Sequence, residues 1–176
     1  AVIGEEGPPS GTEYLIKNGF RADGAIVGEA SNCRLFLGQR GGQFVHLKTH
    51  GKTGHGSMPS TGINAIEHMA RLLGSLPEMR LLQQHHPIFG APTCTIGTIH
   101  GGVRTNVIPD HCESTLDIRL PPEITPEEVL DAFRDRMAEL DIRGSVEPEE
   151  PGFPAMMTQP DTLLARSARH ALQSLS

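Results

Sequence analysis

The chain has 176 residues, of which 37% are hydrophobic, 20% charged and only 4% aromatic, with no Trp and one Tyr. Such a composition supports a globular core built from Leu, Ile, Val, Ala and Met. A formal net charge of -6 and a pI near 5.8 argue against a nucleic-acid binder that works through phosphate contacts, and no apolar run approaches the roughly 18 residues of a membrane span. The three cysteines, Cys33, Cys94 and Cys112, are odd in number and widely spaced. That spacing fits neither a zinc knuckle nor a disulfide scaffold, and points to reduced thiols in a cytoplasmic protein. The chain opens on Ala1-Val2-Ile3, without an initiator Met or a secretory leader, and stops within a helical pattern. Both ends read as cuts, so a fragment of a longer protein is expected.

In chain order, Ala1–Ile3 is an apolar run that ends at Gly4-Glu5-Glu6-Gly7. Thr12–Asn18 has the pattern of a short helix closed by Gly19. A second apolar run, Gly24-Ala25-Ile26-Val27-Gly28, ends at Glu29. Two apolar runs around a helix predict a βαβ unit of a parallel sheet, in which ligands gather at the carboxyl ends of strands. Glu5, Glu6 and Glu29 stand at such ends.

From residue 34 the pattern changes. Leu35–Leu37 and Phe44–Thr49 read as strands. A helix is expected from Ser60 or Thr61 as cap, with Ile63, Ile66, Met69, Leu72, Leu73 and Leu76 at helical spacing and Pro77 as its stop. Residues 78–92 look irregular. Cys94–Ile99 and Glu113–Leu120 read as strands, the latter with Leu116, Ile118 and Leu120 alternating with Asp117 and Arg119. Thr125-Pro126-Glu127-Glu128 starts a helix with a cap, a proline and acids in the first turn. Gly144–Glu147 is a last strand. The order strand, helix, strand, strand, helix, strand predicts an α+β fold: a ferredoxin-like split βαβ sandwich, with a four-stranded antiparallel sheet and two helices, flanked by remnants of a parallel α/β domain. Three divisions follow: residues 1–33, 34–150, and a proline-rich linker with a final helix, capped by Asp161, over 151–176.

The residues able to carry chemistry form a short set. Adjacent acids such as Glu5-Glu6 are ordinarily a solvated pair, but at a strand end one carboxylate can bind a metal while the other acts as general base. Glu29 adds a further oxygen donor. His55 stands in Gly51-Lys52-Thr53-Gly54-His55-Gly56-Ser57-Met58-Pro59, a glycine-rich turn that favours a displayed imidazole. Asn106 follows Gly101-Gly102-Val103-Arg104-Thr105 and reads equally as a turn residue or a ligand-binding group. Arg119 reads either as half of a surface ion pair with Asp117 or as a fork for an anionic substrate group.

Four segments taken together resemble the acetylornithine deacetylase, succinyl-diaminopimelate desuccinylase and carboxypeptidase G group of di-zinc metallohydrolases, which includes the aminoacylases. They are Gly4–Gly7, Ala25–Ala30, Gly51–Pro59 with Gly62–Ala65, and Asn106–Pro109 with Asp117–Arg119. The resemblance implies that Glu5 is the general base toward a metal-bridging water and that Glu6 and Glu29 are metal ligands. It implies two divalent metal ions, zinc with cobalt or manganese as alternatives. It also implies that residues 34–150 form a dimerisation module inserted in the catalytic domain of a homodimer. His55 would reach the active site of the other subunit to stabilise an oxyanion. Asn106 and Arg119 would bind the carbonyl or carboxylate of an N-acyl amino acid or small peptide.

The chain departs from the group's pattern at Gly4, where Asp is usual, and at Ala30, where Pro is usual. The group's His-x-Asp segment, bridging Asp and final His have no counterpart, and His170 lies in an unrelated helical context. The expectation is a fragment of a metal-dependent amidohydrolase that alone holds no stable metal centre and is inactive. A non-catalytic ferredoxin-like interaction or regulatory module is the alternative reading.

Overall fold

The computed structural model describes residues 11–28 and 30–174. The chain divides into two compact units, residues 37–158 and residues 1–36 with 159–176.

Unit 37–158 is built on an antiparallel sheet of four strands, β2 (Gly41–His50), β4 (Thr93–Gly101), β6 (His111–Leu120) and β7 (Gly144–Pro148), in the order β4-β6-β2-β7. It also contains the short ladders β1 (Gly38–Gln39) with β8 (Met156–Met157), and β3 (Gly54–His55) with β5 (Val107–Ile108). Its helices are α2 (Ala65–Gly74), the single turn α3 (Arg80–Gln83) and α4 (Pro126–Glu139). With α2 between β2 and β4, and α4 between β6 and β7, this is the predicted split βαβ order.

Alternation along the strands sorts the sheet into two faces. Val45, Leu47 and Thr49 of β2 and Cys112, Ser114, Leu116, Ile118 and Leu120 of β6 are buried under the helices. Ala65, Met69 and Leu72 come down from α2, and Val129, Phe133 and Met137 from α4. The buried hydroxyls are satisfied: Thr49 donates to the Ala65 carbonyl at 2.8 Å and Ser114 to the Thr98 carbonyl at 2.7 Å. The opposite face is polar. There Glu113 accepts from His46 at 3.1 Å and lies 3.8 Å from His111, and Lys48 pairs with Glu147 at 2.7 Å. Burial pushes the Cys94 thiol up to about 11, with the charge of Asp117 adding to it, and burial also raises Cys112. Neither thiol is a ready nucleophile.

The sequence expectations hold for all four sheet strands and for α4, whose Thr125 and Glu128 form a reciprocal capping box. Several local expectations are corrected. The cap of α2 is Asn64, not Ser60 or Thr61: its side chain accepts from the Ile66 and Glu67 amides, and residues 59–61 form a separate 3-10 turn. Leu35–Leu37 is not a strand. The pairing starts at Gly38, and its partner Met156–Met157 lies inside the segment expected to be a linker.

In the other unit, α1 (Gly11–Lys17) is followed by Gly19 at φ +89°, the left-handed position expected for it. Residues 24–28 form no strand, and Ile26 and Val27 are 70% and 75% exposed. Their expected partner Ala1–Ile3 lies outside the described residues. The final helix α5 (Leu163–Gln173) is capped by Thr162, which accepts from the Ala165 amide, rather than by Asp161.

Phe133 is fully buried, so Phe133→Ala is expected to cost about 3–5 kcal/mol in denaturant unfolding, whereas Thr125→Ala costs about 1 kcal/mol. The hydrogen bond from His46, followed by the nearby imidazole charges, holds the Glu113 carboxyl below its ordinary value of 4.5. A depressed folded-state value contributes stability above pH 4.5, and that stability is lost as pH falls through the lower folded value. Acid titrations of stability should therefore be shallower in Glu113→Gln over this window. An unchanged profile would remove Glu113 from the acid response.

Candidate functional site

Three chain segments meet at one end of the sheet and hold the His55 turn. Leaving β2, Gly51 donates its amide to the Asp110 carbonyl at 2.8 Å, and Lys52 and Ile63 exchange amide hydrogen bonds at 2.8 and 2.9 Å. The Ala65 amide reaches the Pro109 carbonyl at 2.9 Å, and the Gly56 amide reaches the Asn106 carbonyl at 2.9 Å. The glycines serve close approach here. A Cβ on Gly51 would run into the Ile63 carbonyl, and one on Gly56 would sit 3.3 Å from the Asn106 carbonyl oxygen. Left-handed backbone is confined in this region to Gly102, at φ +77°. The glycines at 51, 54 and 56 are therefore needed for close approach and not for left-handed backbone.

His55 is exposed and pairs with Val107 in the β3–β5 ladder. Its Nδ1 lies 2.8 Å from the Ser57 hydroxyl and accepts from the Ser57 amide at 3.2 Å. An amide N–H can only donate, so in the neutral ring Nδ1 carries no proton and Nε2 does. Ser57 thereby makes Nε2 a hydrogen-bond donor, the polarity needed to meet a developing oxyanion. Asn106 is exposed beside this turn.

An open cleft of about 590 Å³ adjoins His55. Ile66, Val107 and Ile108 give it an apolar lining, while Asn64, Glu67 and Arg104 supply polar groups. Sequence reasoning did not single out Arg104 or the cleft, because their surroundings form only when the start of α2 meets the loop before β5.

Arg119 stands elsewhere. The His55 turn is bonded to the chain just before β6, and Arg119 is near the far end of that strand, roughly 26 Å along it from His111 at the usual strand rise. Its guanidinium grips Asp117 through Nε–Oδ1 at 2.7 Å and Nη2–Oδ2 at 2.9 Å, and lies 5.5 Å and 5.7 Å from the Phe44 and Phe153 ring centres. The fold thus brings His55 and Asn106 together and keeps Arg119 apart from them within one chain. Glu5, Glu6 and Glu29 lie outside the described residues. Among the described residues no three His, Cys, Asp or Glu side chains gather to hold a metal ion.

Residues 37–145 match the peptidase dimerisation domain of the M20 enzymes. The chain belongs to this M20 dimerisation-domain family. An acetylornithine deacetylase from Vibrio atlanticus is 32% identical over 149 residues, covering 81% of this chain and 39% of that protein. One from Pectobacterium carotovorum is 37% identical over 131 residues, covering 71% of this chain and 34% of that protein. Among solved structures, a tripeptidase from Staphylococcus aureus is similar with a TM-score of 0.61 at 25% identity, over 79% of this chain and 36% of its own. An M20 family metallo-carboxypeptidase from Sulfolobus solfataricus shares the fold with a TM-score of 0.58 at 15% identity, over 78% of this chain and 44% of its own. The chain thus spans about two fifths of the length of the curated deacetylase relatives it matches. No helix among the described residues is long and apolar enough to cross a membrane.

Long-range proton–nitrogen NMR correlations of His55 are expected to show a protonated Nε2 and a bare Nδ1 in the neutral ring. Ser57→Ala should shift the signals toward a mixture of tautomers. A predominantly Nδ1-protonated ring in the unsubstituted chain would contradict the assignment.

Proposed function

We propose that the chain is part of a longer metal-dependent amide hydrolase of a homodimeric M20 type, cleaving an N-acyl amino acid or small peptide. It would contribute the dimerisation module, residues 34–150, with part of the catalytic domain in residues 1–33 and a return to that domain through 151–176. The observation that carries the reading is the His55 turn: an exposed imidazole on a hydrogen-bonded backbone, with Nε2 left as a donor by the Ser57 contacts at Nδ1. Such a group can polarise a scissile carbonyl and hold the charge that develops on its oxygen. Asn106, beside it, is a second donor for the same carbonyl.

Glu5 is assigned as the general base, Glu6 and Glu29 as metal ligands, and Arg119 as a substrate-binding group. Two divalent ions, zinc or else cobalt or manganese, would supply a Lewis acid and an activated water when bound in the longer protein. Two carboxylates are too few for a stable centre of that kind. The 176-residue chain alone is therefore assigned as inactive.

Dimerisation would explain the separation of His55 from Arg119, because each could serve a different subunit's centre. Strand β4 favours such pairing. It is an edge strand of nine residues with no Asp, Glu, Lys, Arg or Pro to guard it, and it exposes Ile96 and Ile99 at 44% and 50%. The cytoplasm suits its free cysteines. A non-catalytic interaction module would have no need of a tautomer-fixed histidine beside a cleft.

In the full-length protein, His55→Ala should lower turnover about 10²–10³-fold without changing metal content. Mixing inactive His55→Ala dimers with inactive Glu5→Gln dimers should restore about a quarter of the activity, because half of a random mixture is heterodimer with one intact site. No restoration, in heterodimers shown to form, would overturn action across the subunits. Stoichiometric zinc in the isolated 176-residue chain, by elemental analysis at neutral pH, would overturn the assignment of an incomplete centre.

A further inference from the structure

We propose that Arg104 is the anion anchor of the cleft beside His55, and that the substrate carries a carboxylate on the side of its scissile amide that faces this cleft. The inference rests on the reading of His55 as an oxyanion donor and adds to it the residue that selects for a free carboxylate on the substrate. Three observations bear on it. Arg104 lines the cleft together with Gly56, the residue after His55, and with Val107, the residue after Asn106. A ligand reaching His55 and Asn106 therefore lies within reach of the cleft.

Arg104 is the cation of that lining, and its guanidinium has no hydrogen-bond or ion-pair partner among the described residues. Arg119, the other candidate fork, already holds Asp117 through two contacts. A free guanidinium is a planar set of donors matched to a carboxylate.

Two other polar side chains of the cleft, Asn64 and Glu67, are already engaged. Asn64 Oδ1 accepts from the Ile66 and Glu67 amides, so the start of α2 is already capped and offers little to an anion. Asn64 Nδ2 donates to Glu67 Oε1 at 3.0 Å. The Glu67 carboxylate repels an anion from that wall, which leaves the Arg104 side for it. Ile66, Val107 and Ile108 between them accommodate the aliphatic part of the ligand.

The test uses the full-length enzyme and pairs of amide substrates that differ only in a free carboxylate or a primary carboxamide at the position facing the cleft. Arg104→Gln should raise KM for the acid about tenfold and for the carboxamide less than twofold, with kcat nearly unchanged for both. Arg104→Lys should recover part of the loss, because it keeps the charge but not the fork. Equal effects on acid and carboxamide, or no effect on either, would overturn the proposal. A dimer that falls to monomers in light scattering, without a difference between the two substrates, would overturn it in favour of an ion pair between subunits. Failure of the underlying reading is distinguishable: it appears as retained turnover in His55→Ala, whatever the KM comparison shows.

Discussion

The backbone contact between Gly51 and Ile63 governs the rest of the site. The chain leaves β2 and must pass directly under the segment that starts α2, close enough that a Cβ at 51 would strike the Ile63 carbonyl. This contact allows Lys52 and Ile63 to exchange hydrogen bonds and aligns Gly54 and His55 with Ile108 and Val107. Thr49, fully buried, donates its hydroxyl to the Ala65 carbonyl and ties the same crossing to the core. The exposed turn is thus a separate short ladder tied by backbone hydrogen bonds to the end of the sheet, which suits the proposed role of meeting a reacting atom in one geometry.

The sandwich is legible in the sequence because its two periodicities are strong. The alternation of Leu116, Ile118 and Leu120 with Asp117 and Arg119 separates a buried face from a polar one, and Thr125 with Glu128 marks the start of α4 without ambiguity. The short ladders are not legible. β1 and β8 are two residues each, with a glycine in one and a proline-rich setting for the other, and their pairing depends on segments far apart in the chain. The cap of α2 is missed for a related reason: Pro59–Thr61 has helix-start composition but closes as a separate 3-10 turn, and the true cap is Asn64, three residues beyond Thr61. Of the site, the glycine setting of His55 is visible in sequence, whereas its tautomer depends on the local fold of Ser57. Arg104 is inconspicuous in a linear reading because an unpaired cation is defined by the absence of neighbours.

The placement of charge along β6 has its own logic. Arg119 is held by Asp117 next to Phe44 and Phe153, so its guanidinium has a fixed plane and low rotational freedom. A substrate carboxylate that competes for it must displace or share Asp117, and the cost of exposing that acid weakens the anchor. Arg104 has the opposite character: among the described residues it has no partner to give up and none to hold it still, so it loses conformational freedom on binding. Two such groups can divide one task, with the pre-organised arginine setting orientation and the free one sensing charge.

A site split in this way would place a demand on the dimerisation module. If His55 acts on a neighbouring subunit, any looseness between the edge strand β4 and the turn appears as misplacement of Nε2, and about 1 Å of error is enough to lose a large part of the effect. The fold limits this looseness through the β4–β6 ladder, which runs from Thr93–Arg119 to Gly101–Cys112 and ends next to the segment bonded to Gly51. The surface suited to pairing and the histidine turn are thus joined by one continuous set of backbone hydrogen bonds, with the β-bulge between Ile96 and Thr98 as its single irregularity. The module can therefore be both an assembly device and a precise carrier of a donor, and β6 is the strand that makes the two compatible.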